Sequence, residues 1–179
     1  MRRFAGLAAL GSATLLTVAL ATSTVASAAE NSATASIPID DVTTLEVHTN
    51  ANCVKADNQC YFTSSANLLT PEGPTGFPPQ FYARQNTTVR SMDRLVYLDS
   101  DFNAPNTRMF KSIGSVEFST VYFDGGPPEK FTLHGNTRTT DWATGRPKTD
   151  ANFIACSYIQ VVYAGVNLTS PTACATTTY

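Results

Sequence analysis

The stretch NFIACSYIQVVYAGVNL, residues 152–168, is the most hydrophobic run of the chain after its first 28 residues. It is dense in β-branched and aromatic side chains, which favour strands over helices. A nearly continuous apolar run of this kind is typical of a strand in the middle of a sheet. We therefore expect a central β-strand here, with other strands of the chain beside it.

Other segments show the period-two alternation of half-buried strands. In residues 43–49, Leu45 and Val47 lie on one face and Glu46 and His48 on the other. Further strands are expected in CYFTSS (60–65), FYARQNTTVRS (81–91), RLVYLD (94–99), VEFSTVYF (116–123) and KFTLHG (130–135). Only TSSANLL (63–69) suggests a short helix, with a serine cap. Six to nine short strands predict an all-β fold, either an antiparallel β-sandwich or a small β-barrel.

Two stretches resist assignment to strands. TPEGPTGFPPQ, residues 70–80, contains four prolines, and GNTRTTDWATGRPKTDAN, residues 135–152, holds Trp142, the single tryptophan of the chain. Irregular loops longer than about 12 to 15 residues are uncommon in compact domains and are usually functional or disordered. The sequence therefore predicts two long irregular loops.

The beginning of the chain has the pattern of a secretory signal. Arg2 and Arg3 precede an apolar stretch at 4–21, and small residues at 26–28 (Ala-Ser-Ala) fit a signal-peptidase site. We expect a signal peptide at 1–28, a flexible lead-in at 29–42 and a single β-rich domain at 43–179. The short, alanine-rich signal is bacterial in style. It predicts a secreted, extracellular protein with no stable membrane anchor after signal removal.

The charge balance narrows the class of partner. Loss of Arg2 and Arg3 with the signal leaves 10 Lys and Arg against 14 Asp and Glu, a net charge of −4. Nucleic acids and anionic membranes bind surfaces with clustered Lys and Arg. The composition therefore disfavours both as partners, and nothing in it calls for a cofactor.

Four cysteines remain in the exported part, Cys53, Cys60, Cys156 and Cys174. An even number in an exported chain indicates a disulfide framework. Pairing of Cys53 with Cys60 and of Cys156 with Cys174 is favoured, because each pair is close in sequence and flanks a turn-rich stretch. The spacing of Cys53 and Cys60 is too long for a redox C-x-x-C motif or a zinc knuckle. We expect two structural disulfides, the first closing a hairpin.

Candidate catalytic groups are few. Ser-His-Asp chemistry needs a positioned histidine base, and both histidines, His48 and His134, lie on the polar faces of predicted strands. No G-x-S-x-G elbow is present. A secreted hydrolase with its site in the loops near His134 and Asp141 remains an alternative to a non-catalytic protein.

The segment DSDFN begins like a calcium-binding loop, with Asp99, Asp101 and Asn103 at the first, third and fifth positions. The EF-hand pattern then fails, since Ala104 stands where the sharp turn needs glycine. The three side chains form a weak calcium candidate. Their other interpretation is as turn residues that bond their own backbone.

The Trp142 loop gives the sharper binding hypothesis. An indole accompanied by charged and amide groups has the composition of a contact surface for a sugar or peptide. Its competing interpretation, which we favour, is that Trp142 covers an open end of the sandwich, because large aromatic side chains are mostly buried. The candidate binding residues are Asn136, Arg138, Asp141, Trp142 and Arg146.

The leading functional hypothesis is a secreted, disulfide-stapled, non-catalytic β domain that binds an extracellular protein, polysaccharide or cell-wall component. The hydrolase near His134 and Asp141 is one alternative. The other is a secreted inhibitor or effector that presents the proline-rich loop at 70–80 to a protein, as inhibitors present pre-organised loops.

Overall fold

The structure, a computed structural model, describes residues 30–179. The expected signal peptide at 1–28 lies outside this range. Apart from two 3-10 turns at Lys55–Asp57 and Pro128–Phe131, the regular structure in this range is β. None of the helices in this range has the length and hydropathy needed to cross a bilayer. The strands are β1 (Glu30–Pro38), β2 (Thr44–Val54), β3 (Gln59–Thr70), β4 (Gly73–Thr75), β5 (Tyr82–Ser91), β6 (Val96–Asn103), β7 (Thr107–Ser112), β8 (Ser115–Phe123), β9 (Thr132–Asp141), β10 (Phe153–Tyr163), β11 (Val166–Thr169) and β12 (Ala173–Thr177).

The strands form two antiparallel sheets that pack face to face. Sheet 1 has the order β1-β2-β3-β9-β6, with β4 beside β3. Sheet 2 has the order β11-β10-β5-β8-β7, with β12 also beside β10. The sheets do not close into a barrel, so the all-β prediction is confirmed as a sandwich. The run at 152–168 forms β10 and β11, and β10 is an inner strand as expected, paired with β5 on one side and with β11 and β12 on the other.

Strict alternation sends every second side chain between the sheets. Two apolar clusters fill this space. One lies around Phe62, Phe118 and Phe153, and the other around Phe77, Phe81 and Phe131. Five of the strands that pass from one cluster to the other carry buried polar side chains between the clusters. These residues are Thr49 on β2, Ser64 on β3, Gln85 and Thr87 on β5, Thr120 on β8 and Ser157 on β10.

This polar belt joins the two sheets by hydrogen bonds. The amide nitrogen of Gln85 donates to Ser64 Oγ on the facing sheet. Thr49 Oγ1 donates to the carbonyl oxygen of Ala173, 3.1 Å away, also between the sheets. Because a buried polar group without a partner is costly, these bonds favour one alignment of sheet 1 on sheet 2.

Both expected disulfides are present. Cys53–Cys60 links directly opposed positions of β2 and β3, and both side chains are buried between the sheets. Cys156–Cys174 links directly opposed positions of β10 and β12 on the outer face of sheet 2, where Cys174 is exposed. The predicted pairing is confirmed. One bond is therefore part of the core, and the other lies at the surface.

The structure differs from three local expectations. The lead-in at 29–42 contains strand β1, which pairs with β2 over nine residues and sends Ala33, Ala35 and Ile37 against the core. The segment 63–69 is part of β3 and not a short helix, because β2 and β9 take up its backbone hydrogen bonds. The long loop at 135–152 is irregular only after Asp141, since β9 extends to that residue.

Candidate functional site

The pairing of β6 with β9 brings two separate predictions together on one surface. Asp99 lies opposite Arg138, and Asp101 lies opposite Asn136. The side chains of these alternating positions point away from the core, because Leu98, next to Asp99, and Thr137, between Asn136 and Arg138, are buried. The weak calcium candidates and the Trp142-loop candidates therefore share the outer face of sheet 1.

We call this surface the β6–β9 face, and it comprises Gln59, Tyr61, Tyr97, Asp99, Asp101, Asn136, Arg138 and Trp142. It contains a polar depression of about 440 Å³, lined by Asp99, Asp101, Asn136 and Arg138 together with Gln59 of β3. A shallower depression of about 230 Å³ adjoins it and shares Asp101 and Asn136. The two form one groove, because the shared residues line both.

An aromatic pair lies at one end of this groove. The rings of Tyr97 and Trp142 meet edge to face, with centroids 5.7 Å apart. Trp142 is 50% exposed and Tyr97 41% exposed. The expectation that Trp142 covers an open end of the sandwich is therefore wrong. The indole packs on the outer face of a strand, so half of its surface is available for a ligand.

A second aromatic ring lies at the other end. Tyr61 is 39% exposed and pairs with Asn136, whereas Tyr97 pairs with Thr140. Four residues of β9 separate the two positions, which corresponds to about 13 Å along a strand. The groove thus has an exposed aromatic side chain near each end and polar groups between them.

The turn after β9 holds Trp142 in place through Asp141. Its carboxylate accepts hydrogen bonds from the backbone N–H groups of Ala143 and Thr144 at 3.0 and 2.8 Å and from the Thr144 hydroxyl at 2.9 Å. These bonds, the one from the Thr144 backbone first, hold the pKa of the Asp141 carboxyl below its ordinary value. Asp141 is therefore engaged by its own turn. Arg146 is exposed across the same turn, where its carbonyl accepts from the Asp141 N–H.

Charges of both signs are distributed over the groove. Asp99 Oδ1 lies 3.4 Å from Lys111 Nζ in a partly exposed pair, which contributes at most about 1 kcal/mol to stability. The same ammonium lies 5.7 Å from the centre of the Tyr97 ring. Within residues 30–179 the guanidinium of Arg138 forms no ion pair. Arg138 is therefore free to donate hydrogen bonds to a ligand.

The calcium candidate does not fit the geometry. Asp99, Asp101 and Asn103 occupy alternate positions of an extended strand, so neighbouring members are about 6.7 Å apart and the outer two about 13 Å apart. A calcium ion needs ligand oxygens at 2.3–2.6 Å, and three side chains with this spacing do not converge on one ion. The part of the chain that the structure describes contains no cluster of three or more His, Cys, Asp or Glu placed to hold a metal.

The hydrolase alternative has no convergent pair. His134 and Asp141 lie seven residues apart on β9, a separation of about 23 Å along the strand. His134 Nδ1 is instead 3.3 Å from the Thr63 hydroxyl. His48 lies on β2, beyond β3, between the Thr34 hydroxyl and the Asn67 carbonyl oxygen at 2.9 and 2.6 Å. Each histidine belongs to a separate polar network of the sheet face.

The proline-rich loop lies at the opposite end of the sandwich from Trp142. It is held to the loop after β8 by two backbone hydrogen bonds between Phe77 and Gly126, at 3.0 and 3.1 Å. The two loops line an open depression of about 820 Å³ with Pro74, Pro127 and Tyr163. A loop held in this way does not project as a free inhibitory loop would.

Gln59, Tyr61 and Tyr97 belong to the face although none of them was predicted from the sequence. The alternation of RLVYLD could have predicted an exposed Tyr97, because Val96 and Leu98 take the buried positions and the Tyr97 side chain points outward. Gln59 and Tyr61 lie on either side of the buried Cys60, but their position beside β9 depends on strand order. No protein-family model and no curated protein matches the chain significantly. The functional assignment therefore depends on the geometry of the β6–β9 face.

Proposed function

We propose that the chain is an exported, disulfide-stapled binding domain that holds an extracellular polysaccharide on the β6–β9 face. The observation that carries this proposal is the order of groups along the groove, with the exposed Tyr97–Trp142 pair at one end, Tyr61 at the other and charged and amide side chains between them. A sugar ring offers a flat C–H surface to an aromatic side chain and hydroxyls to polar groups. An extended chain of sugars matches this sequence of contacts.

The mixture of donors and acceptors favours sugars over a protein surface. A sugar hydroxyl both donates and accepts hydrogen bonds, so carboxylates, amides and guanidinium groups can all bind it. Asp101, Asn136 and Arg138 provide one of each. A stable protein interface buries about 800 Å² per partner around a core depleted of charge. The centre of the β6–β9 groove is instead its most polar part.

Export is supported by the two disulfides and by the signal pattern at 1–28. Disulfides persist in oxidising compartments outside the cytosol, and the described chain contains two of them and no free cysteine. An extracellular location would give the face access to cell-surface and environmental polymers.

The test measures retention of residues 29–179 on insoluble cellulose, chitin and xylan. Trp142 fluorescence is a second readout, used with soluble fragments of a polymer that retains the protein. We expect retention on at least one polymer and a Kd at least about tenfold weaker for Trp142→Ala and for Asn136→Ala, since central contacts dominate binding energy. Phe123→Ala is the matched control, because Phe123 is 58% exposed but lies on sheet 2. No retention of the wild type on any polymer, or unchanged retention of Trp142→Ala, would contradict the proposal.

A further inference from the structure

A second groove lies on the opposite side of the sandwich, on the outer face of sheet 2. It has a volume of about 560 Å³ and runs across β5, β8 and β7. We call it the sheet 2 groove. The side chains that matter for its chemistry are Arg84, Asn86, Arg108, Phe110, Glu117 and Ser119.

The two arginines of this groove are its main feature. Arg84 lies on β5 and Arg108 on β7, with β8 between them. Two strand spacings separate their backbones, about 10 Å, so long side chains from the two walls can reach one ligand between them. Arg84 pairs with Val121 and Arg108 with Ser119, so the two arginines are offset by only two residues of β8.

Neither guanidinium has a partner within residues 30–179, in an ion pair or in a hydrogen bond. Two lysines show the contrasting case, in which a basic group is already engaged. Lys148 pairs with Asp150 at 2.8 Å, and Lys130 donates to three backbone carbonyl oxygens between residues 123 and 125. A guanidinium presents a planar set of donors that matches a carboxylate or phosphate in bidentate geometry. Two such groups in one groove form a receptor for an oxyanion.

The remaining side chains specify the kind of oxyanion. Glu117 lowers the net charge of the groove to +1, which suits a monoanion better than a dianionic phosphate monoester. Its carboxylate, together with the Ser119 hydroxyl, accepts hydrogen bonds from ligand hydroxyls. Phe110 is 55% exposed and offers an apolar surface to a ring. We propose that the sheet 2 groove binds a uronic acid unit of an acidic polysaccharide, with its carboxylate between Arg84 and Arg108.

This site is independent of the β6–β9 face, because it uses other strands of the other sheet. Two binding faces on opposite sides of one sandwich would allow a single chain to bridge two polymer strands. A bivalent domain of this kind gains avidity without new contacts when both faces are engaged.

The experiment is titration of ¹⁵N-labelled residues 29–179 with a galacturonic acid tetramer, followed by NMR. The comparison probes are its methyl ester, which lacks the charge, and inorganic phosphate. We expect amide shifts centred on residues 84, 108 and 119, and binding that weakens as NaCl rises from about 20 to about 500 mM. The Arg84→Gln, Arg108→Gln double variant should bind at least about tenfold more weakly. Arg94→Gln is the matched control, because Arg94 is exposed and lines neither groove, and this variant should bind as the wild type does.

Several results would overturn this proposal. They are equal binding of the methyl ester, phosphate binding as tight as that of the tetramer, unchanged binding by the double variant, or shifts centred on the β6–β9 face. Thermal unfolding of the double variant checks that it is folded, and the single variants replace it if it is not. Retention on the neutral polymer separates the two proposals. Trp142→Ala should weaken that retention and still bind the tetramer, and the double arginine variant should keep the retention and lose binding of the tetramer.

Discussion

The indole of Trp142 meets the ring of Tyr97 edge to face, with the ring centroids 5.7 Å apart and the ring planes at 79°. Tyr97 belongs to β6, and Trp142 follows the last residue of β9, so the contact joins two segments that are distant in sequence. Each ring keeps close to half of its surface exposed. The pair is a preformed aromatic corner at one end of the β6–β9 groove.

Replacing Tyr97 with alanine should move Trp142 into a more aqueous environment. The single tryptophan makes its emission a direct reporter. We expect a red shift and faster quenching by acrylamide, with a loss of unfolding free energy of at most about 1.5 kcal/mol, since aromatic pairs contribute in this range beyond their burial. Phe123→Ala should leave the emission unchanged, because Phe123 packs against Tyr82. An identical emission spectrum for Tyr97→Ala would show that the pair does not exist in solution.

The two disulfides should differ in their response to a mild reductant. Cys53 and Cys60 are fully buried, whereas Cys174 is exposed. Thiol–disulfide exchange needs access of the attacking thiolate, so Cys156–Cys174 should open first in the folded protein. Differential alkylation followed by mass spectrometry measures the order. Earlier alkylation of Cys53 and Cys60 than of Cys156 and Cys174 would contradict the burial of the Cys53–Cys60 bond between the sheets.

Replacement of either disulfide by two alanines should lower the unfolding free energy. In the chain-entropy relation the loops closed by the two bonds correspond to about 2.5 kcal/mol for Cys53–Cys60 and about 3 kcal/mol for Cys156–Cys174. Denaturant titration of each double variant gives the loss. Polymer retention by the Cys53→Ala, Cys60→Ala variant should persist while it is folded, because neither sulfur lies on the β6–β9 face. If retention vanished in the folded variant, this hairpin would have a direct role in binding.

Gly135 should not tolerate a side chain. It lies between Phe62 of β3 and Phe102 of β6 in the sheet, and the Phe62 ring fills the space where a Cβ atom would be. Gly135→Ala should therefore cost about 1–3 kcal/mol through overpacking, measured by denaturant titration. The same substitution in a Phe62→Leu background should cost less, because the ring is gone. Equal costs in the two backgrounds would show that the ring is not the obstacle.

The contribution of Asp141 should depend on pH. Hydrogen bonds from the turn, that of the Thr144 backbone first, lower the pKa of its carboxyl from the ordinary 3.8 in the folded protein. A group whose pKa is lower when folded stabilises the protein above its unfolded pKa and loses that contribution as the pH falls through the folded pKa. The stability difference between the wild type and Asp141→Ala should therefore be constant near neutral pH and shrink below about pH 4. A difference that stays constant down to pH 2 would mean that the charge has no part in holding the turn.

The predictable part of this protein is the part that depends on short-range pattern. Alternation in residues 43–49 and 116–123 identified strands because side chains on neighbouring positions face opposite sides of a sheet. Strand β1 was missed since its alternating Ser, Ala and Thr residues carry little apolar signal. The helix expected at 63–69 was wrong because neighbouring strands override a weak local preference.

The candidate site was predictable only in pieces. Asp99 and Asp101 drew attention as metal ligands, and Asn136 and Arg138 as companions of Trp142, but no local pattern linked the two sets. The link is the pairing of β6 with β9, two strands that β7 and β8 separate in sequence and that meet only in the folded sheet. The same pairing places Asp99 and Asp101 on an extended strand and so removes the calcium candidate.

The sequence by itself determined the all-β class, the disulfide pairing, the charge balance and the identity of most strands, because each follows from residue type and near spacing. Only the tertiary structure decided the order of the strands, the exposure of Trp142 and the two grooves on opposite faces. These depend on which strands lie side by side and which residues point outward together. The strands must be arranged so that two apolar clusters and a polar belt are buried between the sheets at the same time. No short stretch of sequence contains this requirement.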